Sequence, residues 1–190
     1  MISVFDKKED CCGCTACKHI CPKRAIEMKP DEEGFLYPGI NQEICTECGL
    51  CRKVCAFQNG YDTSHNFSMP YVYAVKHSDE KVRMTSTSGG AFSAIADYIL
   101  DKNGMVCGVA FDEKLNVVHQ IASTKEERNK FKGSKYVQSD LGTTYAEIKN
   151  LLEQQKHVLF TGTPCQNAGL RSFLAGVNTE KLFLCDIVLN

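Results

Sequence analysis

Eight cysteines in two runs of identical spacing constrain this chain more than any other feature. The first run is Cys11, Cys14, Cys17 and Cys21, and the second run is Cys45, Cys48, Cys51 and Cys55. Both runs read C-x2-C-x2-C-x3-C, and each cysteine of the second run lies 34 residues after its counterpart in the first. The chain therefore contains an internal repeat whose repeated element is a set of four thiols.

This spacing is the one that bacterial ferredoxins use to hold [4Fe–4S] clusters. Two-residue spacers let successive thiolates point at one cubane, and we expect the fourth cysteine of each run to open a short helix. In two-cluster ferredoxins this fourth cysteine ligates the other cluster. The predicted ligand sets are therefore Cys11, Cys14, Cys17 and Cys55 for one cluster, and Cys45, Cys48, Cys51 and Cys21 for the other.

Zinc and disulfides are the two alternative uses of such cysteines. Zinc takes four ligands per ion and gains nothing from this doubled spacing. Disulfides need an oxidising compartment, and residues 1–10 lack the apolar stretch of a signal peptide. The second run has Ala56 where the first has Pro22, which affects the start of the helix but removes no ligand. We interpret Cys12 as a bystander thiol.

Composition excludes several classes of function. The net charge is −1 and the isoelectric point is about 6.5, so nothing indicates a nucleic-acid partner. The apolar runs are far shorter than the ~20 residues of a membrane span, so we expect no transmembrane segment. Twelve cysteines without a secretory signal predict a reducing, cytoplasmic location. Oxygen-sensitive clusters indicate an anaerobic or microaerobic cell.

The change in sequence character predicts two domains. We expect a ferredoxin-like domain with two [4Fe–4S] clusters over residues 1–60, a polar linker over 61–70, and an α/β domain over 71–190. In the second domain the pattern predicts a strand at 71–75, a helix at 91–102, and a β-hairpin formed by 105–111 and 117–121. Thr124 and Glu127 form a capping box for a short helix that ends near Gly133.

The end of the chain predicts a strand–helix–strand unit. An amphipathic helix around residues 145–152 precedes a strand at 158–161, a tight loop at 162–166, a helix at 167–174 and a strand at 182–189. Such a unit is expected to be right-handed, with parallel strands. The predicted fold is therefore an N-terminal dicluster ferredoxin-like domain followed by an α/β domain with a mixed sheet, in the α+β or α/β class.

Three loops of the second domain are candidates for a cofactor site. The first loop precedes a helix, where free N–H groups and the helix dipole suit a phosphate. The second loop is basic and rich in hydroxyl groups. The third loop joins a strand to a helix, which is where α/β sheets bind ligands. Each alone is an ordinary turn, and the chain has neither a GxGxxG nor a Walker A motif. Their residues are Ser88, Gly89 and Gly90; Lys132, Gly133, Ser134, Lys135 and Tyr136; and Thr161, Gly162, Thr163, Pro164, Cys165 and Gln166.

Taken in order behind the cysteine runs, these three loops resemble the coenzyme F420-reducing hydrogenase/dehydrogenase beta-subunit family, over roughly residues 10–188. The resemblance implies a flavoprotein, usually with FAD, that passes electrons between a hydride-carrying small molecule such as an F420-like cofactor and the iron–sulfur clusters. A redox partner protein or subunit would exchange electrons with the clusters. The resemblance also implies that the three loops contact the flavin. The residues identify no general acid or base.

A second hypothesis is a dicluster ferredoxin-like electron carrier with an α/β interaction domain and no enzymatic activity. Members of the family are generally about twice as long as this chain. We therefore expect the chain to be the front half of a longer protein, apparently truncated, that binds FAD weakly alone. Cys107 and Cys185 are expected in the core, and Cys165 at the start of a helix beneath the flavin.

Overall fold

The computed structural model describes residues 2–60, 63–64 and 66–188. The chain forms a cysteine-rich part, followed by an α/β part built on a four-stranded sheet. The helices are α1 Ala16–Ile20, α2 Leu50–Lys53, α3 Ala56–Asn59, α4 Glu80–Met84, α5 Ala91–Leu100, α6 Lys125–Arg128, α7 Thr144–Glu153 and α8 Pro164–Phe173, with 3-10 turns at Lys8–Asp10 and Asn129–Phe131. The strands are β1 Ile26–Pro30, β2 Leu36–Ile40, β3 Met105–Phe111, β4 Val117–Ala122, β5 Val158–Gly162 and β6 Leu182–Asp186.

The internal repeat is present in the backbone as well as in the sequence. Gly13 and Glu47, which correspond in the two runs, both have left-handed φ values, of 66° and 51°. Thr15 and Gly49 also correspond, with φ values of 61° and 75°. Each run therefore makes two left-handed turns between its first and third cysteines before a short helix begins.

The fourth cysteine of each run behaves differently in the two halves of the repeat. Cys55 precedes α3 as its N-cap, which is what we expected of both. Cys21 instead ends α1 with an extended backbone, so the expectation of a helix after it is wrong. Only residues 22–25 separate it from β1, and Arg24 within them has a left-handed φ of 51°, which a helix does not allow.

The cysteine-rich part contains a hairpin that we did not predict from the sequence. β1 pairs with β2 in an antiparallel register that places Ile26 opposite Ile40. The turn between them is held by Asp31, whose carboxylate accepts hydrogen bonds from the backbone N–H groups of Glu33 and Phe35. The signal for this hairpin was an acidic turn that includes a glycine.

The predicted strand at residues 71–75 is wrong. This segment is in no strand and has no strand neighbour among the described residues, and its side chains are exposed, Val72 by 91%. Its end runs along the loop before α5, where the N–H of His77 donates to the carbonyl of Gly89 at 2.7 Å. The β-branched and aromatic residues favour an extended backbone, but no sheet edge lies beside them. The predicted linker falls partly on residues 61, 62 and 65, which lie outside the described residues.

The four-stranded sheet has the order β4-β3-β5-β6. β3 and β4 form the predicted antiparallel hairpin, and β5 runs parallel to both β3 and β6, which confirms a mixed sheet. β6 ends at Asp186, earlier than predicted, and residue 189 lies outside the described part of the chain.

Helix α8 begins at Pro164, so the expected loop at 162–166 is shorter than predicted. Pro164, Cys165 and Gln166 form the first helical turn, because proline at the first helical position is already set at a helical φ. The side chain of Gln166 accepts a hydrogen bond from the N–H of Thr163 at 3.0 Å and closes this end of the helix. The predicted capping box of α6 is present, with Glu127 N donating to Thr124 Oγ1 at 3.2 Å.

Both faces of β5 are buried, and its alternate residues point to opposite sides of the sheet. Leu159 packs with Ile99 of α5 on one side, whereas Phe160 packs with Tyr145 of α7 on the other. The group of buried side chains around Phe160 and Tyr145 extends into the cysteine-rich part, where it includes Cys17. A shared core therefore fixes the cysteines relative to α7 and α8. None of the helices in the described residues is long and apolar enough to cross a membrane.

Candidate functional site

Two small cavities in the cysteine-rich part each collect cysteines from both runs. The first is lined by Cys11, Cys14, Cys17 and Cys55, together with Cys12 and Thr15, and the second by Cys21, Cys45, Cys48 and Cys51, together with Gly49. In each cavity the fourth cysteine of one run lies beside three cysteines of the other. This grouping is the same as the crossed ligand sets, and ligation itself stays a prediction.

The donor set of these cavities suits iron–sulfur clusters. All the lining cysteines are free thiols, and backbone N–H groups point at several of the sulfurs. Ala25 N donates to Cys21 Sγ at 3.3 Å, and Glu47 N donates to Cys45 Sγ at 3.4 Å. Burial raises the pKa of Cys11 and Cys51. Within the described residues, no three His, Cys, Asp or Glu side chains are grouped so as to hold a single metal ion.

A much larger cavity, of about 880 Å³, lies between the cysteine-rich part and the α/β part. All three candidate loops line it, although they are far apart in the sequence, and so do residues of the first cysteine run and of the β1–β2 hairpin. The predicted residues that line it are Ser88, Gly90, Lys132, Gly133, Ser134, Lys135, Tyr136, Thr161, Gly162, Thr163, Cys165 and Gln166. Gly89 and Pro164 are not among the lining residues.

The first turns of two ten-residue helices face this cavity. Gly90, the left-handed N-cap of α5, lines it together with Ser93. The first turn of α8 contributes Cys165 and Gln166. Helix N-termini carry partial positive charge and free N–H groups, so two of them at one cavity favour an anionic ligand such as a pyrophosphate.

The two lysines of the basic loop also contact neighbouring backbone and hydroxyl groups. Lys132 Nζ donates to Thr85 Oγ1 at 3.1 Å and so connects its loop to the one before α5. Lys135 Nζ donates to the carbonyls of Lys130 and Lys132, at 3.2 and 2.9 Å, and burial lowers the pKa of this ammonium. Lys135 therefore stabilises the shape of its own loop, which limits its freedom to reach a ligand.

A buried polar network holds the third loop in place. His119 Nε2 lies 3.2 Å from the carbonyl of Thr161, and its Nδ1 lies 3.0 Å from Ser139 Oγ. Ser139 in turn accepts a hydrogen bond from Gln166 Nε2 at 3.0 Å. Burial lowers the pKa of His119 to about 4, so the imidazole is neutral near pH 7 and can donate at Nε2 while accepting at Nδ1. No motif in the sequence indicates this network.

Cys12, which we interpret as a bystander to the clusters, interacts with two other cysteines. Hydrogen bonds with Cys14 and Cys165 raise the pKa of Cys12. The hydrogen bond from Cys12 is the largest contribution to the pKa of Cys165, which is lowered to about 6. Cys165 also contacts Thr163 Oγ1 at 3.1 Å. Cys165 thus connects the loop before α8 to the first cysteine run.

The large cavity adjoins the first cysteine cavity and not the second. Cys11, Cys12 and Gly13 line both the large cavity and the first cysteine cavity, whereas the second cysteine cavity shares no lining residue with the large one in the described part of the chain. Gln138 bridges the two parts of the protein here, because it accepts from Leu36 N at 3.1 Å and donates to the carbonyl of Cys12 at 3.3 Å.

Comparison with known proteins gives the same two-part division. Residues 10–59 match the family described as a 4Fe-4S dicluster domain, and residues 72–144 match the N-terminal part of the coenzyme F420 hydrogenase/dehydrogenase beta subunit. The second match includes two of the three cavity loops. Together the two matches support an F420 hydrogenase beta-subunit-like family for this chain.

One curated relative aligns with nearly the whole chain. It is a subunit of the F420H2 dehydrogenase of Methanosarcina mazei, 24% identical over 183 residues, which are 92% of this chain and 51% of the relative. The pyruvate synthase subunit PorD of Thermotoga maritima is 41% identical over 51 residues, which are 27% of this chain and 48% of the relative. The chain thus spans about half the length of the M. mazei relative.

Several cavity residues were not predicted from the sequence. The hairpin residues Phe35, Leu36 and Tyr37 line the cavity, and so does Cys185, which was expected in the core. Cys107 is fully buried, as expected. The hairpin could not be assigned to this site from the sequence, because only the packing of the cysteine-rich part on α8 brings it there.

Proposed function

We propose that this chain is an iron–sulfur electron-transfer subunit that binds FAD in the large cavity and carries two [4Fe–4S] clusters in the crossed ligand sets. The observation that carries the proposal is the convergence of the three loops and the first cysteine cavity on one space of about 880 Å³. Ligand pockets run from about 300 to 1,000 Å³, so this cavity is at the upper end, as a dinucleotide cofactor needs.

The residues present fit such a cofactor. The first turn of α5 offers N–H groups for phosphate oxygens, and Lys132 adds a positive charge. Apolar side chains of the hairpin and of α5, such as Phe35 and Phe92, offer surface for a ring system. A bound flavin would accept or donate electrons in pairs as hydride and exchange them singly with a cluster.

The arrangement of the cavities supports an order of electron transfer. The cluster site formed by Cys11, Cys14, Cys17 and Cys55 adjoins the large cavity, so it would exchange electrons with the flavin. The site that includes Cys48, whose side chain is exposed, would exchange electrons with a partner protein. The M. mazei relative is named as a subunit of an F420H2 dehydrogenase, so an F420-like hydride carrier is the proposed small-molecule substrate.

The test begins with the composition of the anaerobically purified or reconstituted protein. Two [4Fe–4S] clusters require roughly eight iron and eight sulfide per chain, and stoichiometric zinc with little iron would contradict the cluster assignment. FAD is then titrated and followed by quenching of its fluorescence.

A pair of variants locates the flavin site. Ser88→Phe places a large ring at the cavity and should weaken FAD binding at least tenfold while leaving the iron content unchanged. Ser68→Phe, at an exposed position outside the lining, is the matched control. A protein that holds both clusters, binds no FAD and still passes electrons between proteins would instead support the carrier hypothesis.

A further inference from the structure

Thr15 breaks the symmetry of the cysteine repeat at a position where the backbone favours glycine. The equivalent residue of the second run is Gly49, and both have left-handed φ values, of 61° and 75°. Glycine adopts this conformation freely, whereas a β-branched residue there is strained. The second run has glycine at this position and avoids the strain. The strain at Thr15 should therefore be offset by an interaction that its side chain makes.

The hydroxyl of Thr15 has no such interaction with the protein. The residue is only 4% exposed, and Thr15 Oγ1 is buried without a hydrogen-bond partner among the residues that the structure describes. A buried hydroxyl without a partner costs about 1–3 kcal/mol. Thr15 lines the first cysteine cavity together with Cys11, Cys14, Cys17 and Cys55.

We infer that Thr15 donates an O–H···S hydrogen bond to the cluster held in the first cysteine cavity and raises the reduction potential of that cluster. Hydrogen bonds to the sulfurs are one of the protein's means of setting such potentials. Reduction adds one electron to the cluster and makes its sulfurs more negative, so a donor there stabilises the reduced state more than the oxidised state. The second cavity has Gly49 at the equivalent place, which offers no side-chain donor.

This inference rests on the proposed ligand assignment and extends it. The cluster beside the large cavity would be favoured as the first acceptor of electrons. The reduction itself is simple: one electron passes from a reduced mediator dye to the cluster, the dye is oxidised, and no bond is made or broken.

The test is a potentiometric titration of the anaerobic protein, with each cluster followed by electron paramagnetic resonance. Thr15→Val keeps the branched shape but removes the donor, and Thr15→Ser keeps the hydroxyl. We expect the valine variant to lower the ratio of reduced to oxidised cluster about tenfold at a fixed potential, which is about 59 mV for a one-electron couple. One of the two clusters should shift, and the serine variant should stay at the wild-type value.

Two further variants extend the test. The first separates loss of the hydroxyl from a folding defect, and the second places a hydroxyl at the equivalent position of the other cysteine run. Thr15→Gly restores the residue of the second run, removes the strain and should shift the same cluster down as valine does. Gly49→Thr adds a hydroxyl where a new Cβ has open space, at the cost of the same left-handed strain that Thr15 carries, and should raise the potential of the other cluster.

The outcomes are distinct. Unchanged potentials in the valine and glycine variants, or a serine variant that shifts as far as valine, would overturn the role of Thr15. Wild-type protein without about eight iron atoms would instead refute the cluster assignment on which it rests, and the FAD titration plays no part in either result.

Discussion

Replacing Gly169 with alanine should disturb the first cluster site from the α/β side. Gly169 lies in α8, and a Cβ added there would be 3.0 Å from Cys14 Sγ and 3.1 Å from Tyr145 Oη. Such contacts require the neighbours to move by a few tenths of an ångström. Tyr145 is fixed by its hydrogen bond to the carbonyl of Gln166 at 2.7 Å, and Cys14 would be fixed by iron, so neither can move freely.

The expected magnitude is a balance of two effects. Alanine in place of glycine inside a helix gains about 1 kcal/mol, whereas overpacking a fixed core costs about 1–3 kcal/mol. The net strain is about 0–2 kcal/mol, so the loss of iron to a chelator should be faster, by up to about 30-fold. The measurement is the anaerobic decay of cluster absorbance at a fixed chelator concentration.

A control on the same helix separates this contact from a general effect on α8. Ser172→Ala lies one turn further along and should lose iron at the wild-type rate. If Gly169→Ala also loses iron at that rate and shows an unaltered paramagnetic spectrum, then α8 does not constrain Cys14 and the reasoning fails.

Three other substitutions test the contacts around the large cavity. Gln138→Ala removes two hydrogen bonds that join the two parts of the protein and should lower stability by about 1–2 kcal/mol, measured by urea unfolding; a change below the error would contradict the bridge. Tyr145→Phe leaves the carbonyl of Gln166 without this buried partner and should cost about 1–2 kcal/mol in the same assay. His119 has a folded-state pKa of about 4 against an ordinary 6.5, so the unfolded chain takes up the proton first as pH falls. His119 should therefore contribute a loss of about 3 kcal/mol between pH 6.5 and 4. His119→Gln should remove that contribution and leave the one from His19, whose pKa burial also lowers to about 4.

The sequence alone was sufficient to predict the structural features that depend on a local pattern of residues. The hairpin of β3 and β4, the helices over residues 91–100 and 144–153 and the capping box at Thr124 all follow from periodicity and capping chemistry. The presence of a dicluster domain follows from cysteine spacing alone. Each of these signals lies within a short segment, so no knowledge of the tertiary structure is needed to read it.

The errors occurred where the outcome depends on residues distant in the sequence. The segment at 71–75 has the composition of a strand but meets no sheet edge among the described residues. The β1–β2 hairpin had a readable turn, yet its place in the cavity wall depends on how the cysteine-rich part packs on α8. The roles of His119 and Ser139 depend on side chains from several different segments, so no pattern within one element could show them.

The differences between the two cysteine runs follow from what each run faces. The first run has Gly13 where the second has Glu47, and a Cβ at Gly13 would collide with the side chain of Gln138 and lie 2.8 Å from the carbonyl of Leu36. Its neighbour Cys12 contacts Cys165 across the same boundary. A repeat with two equivalent environments has no physical reason to diverge at these positions. The deviations of the first run therefore occur where it faces the α/β part, at the site that we propose exchanges electrons with the flavin.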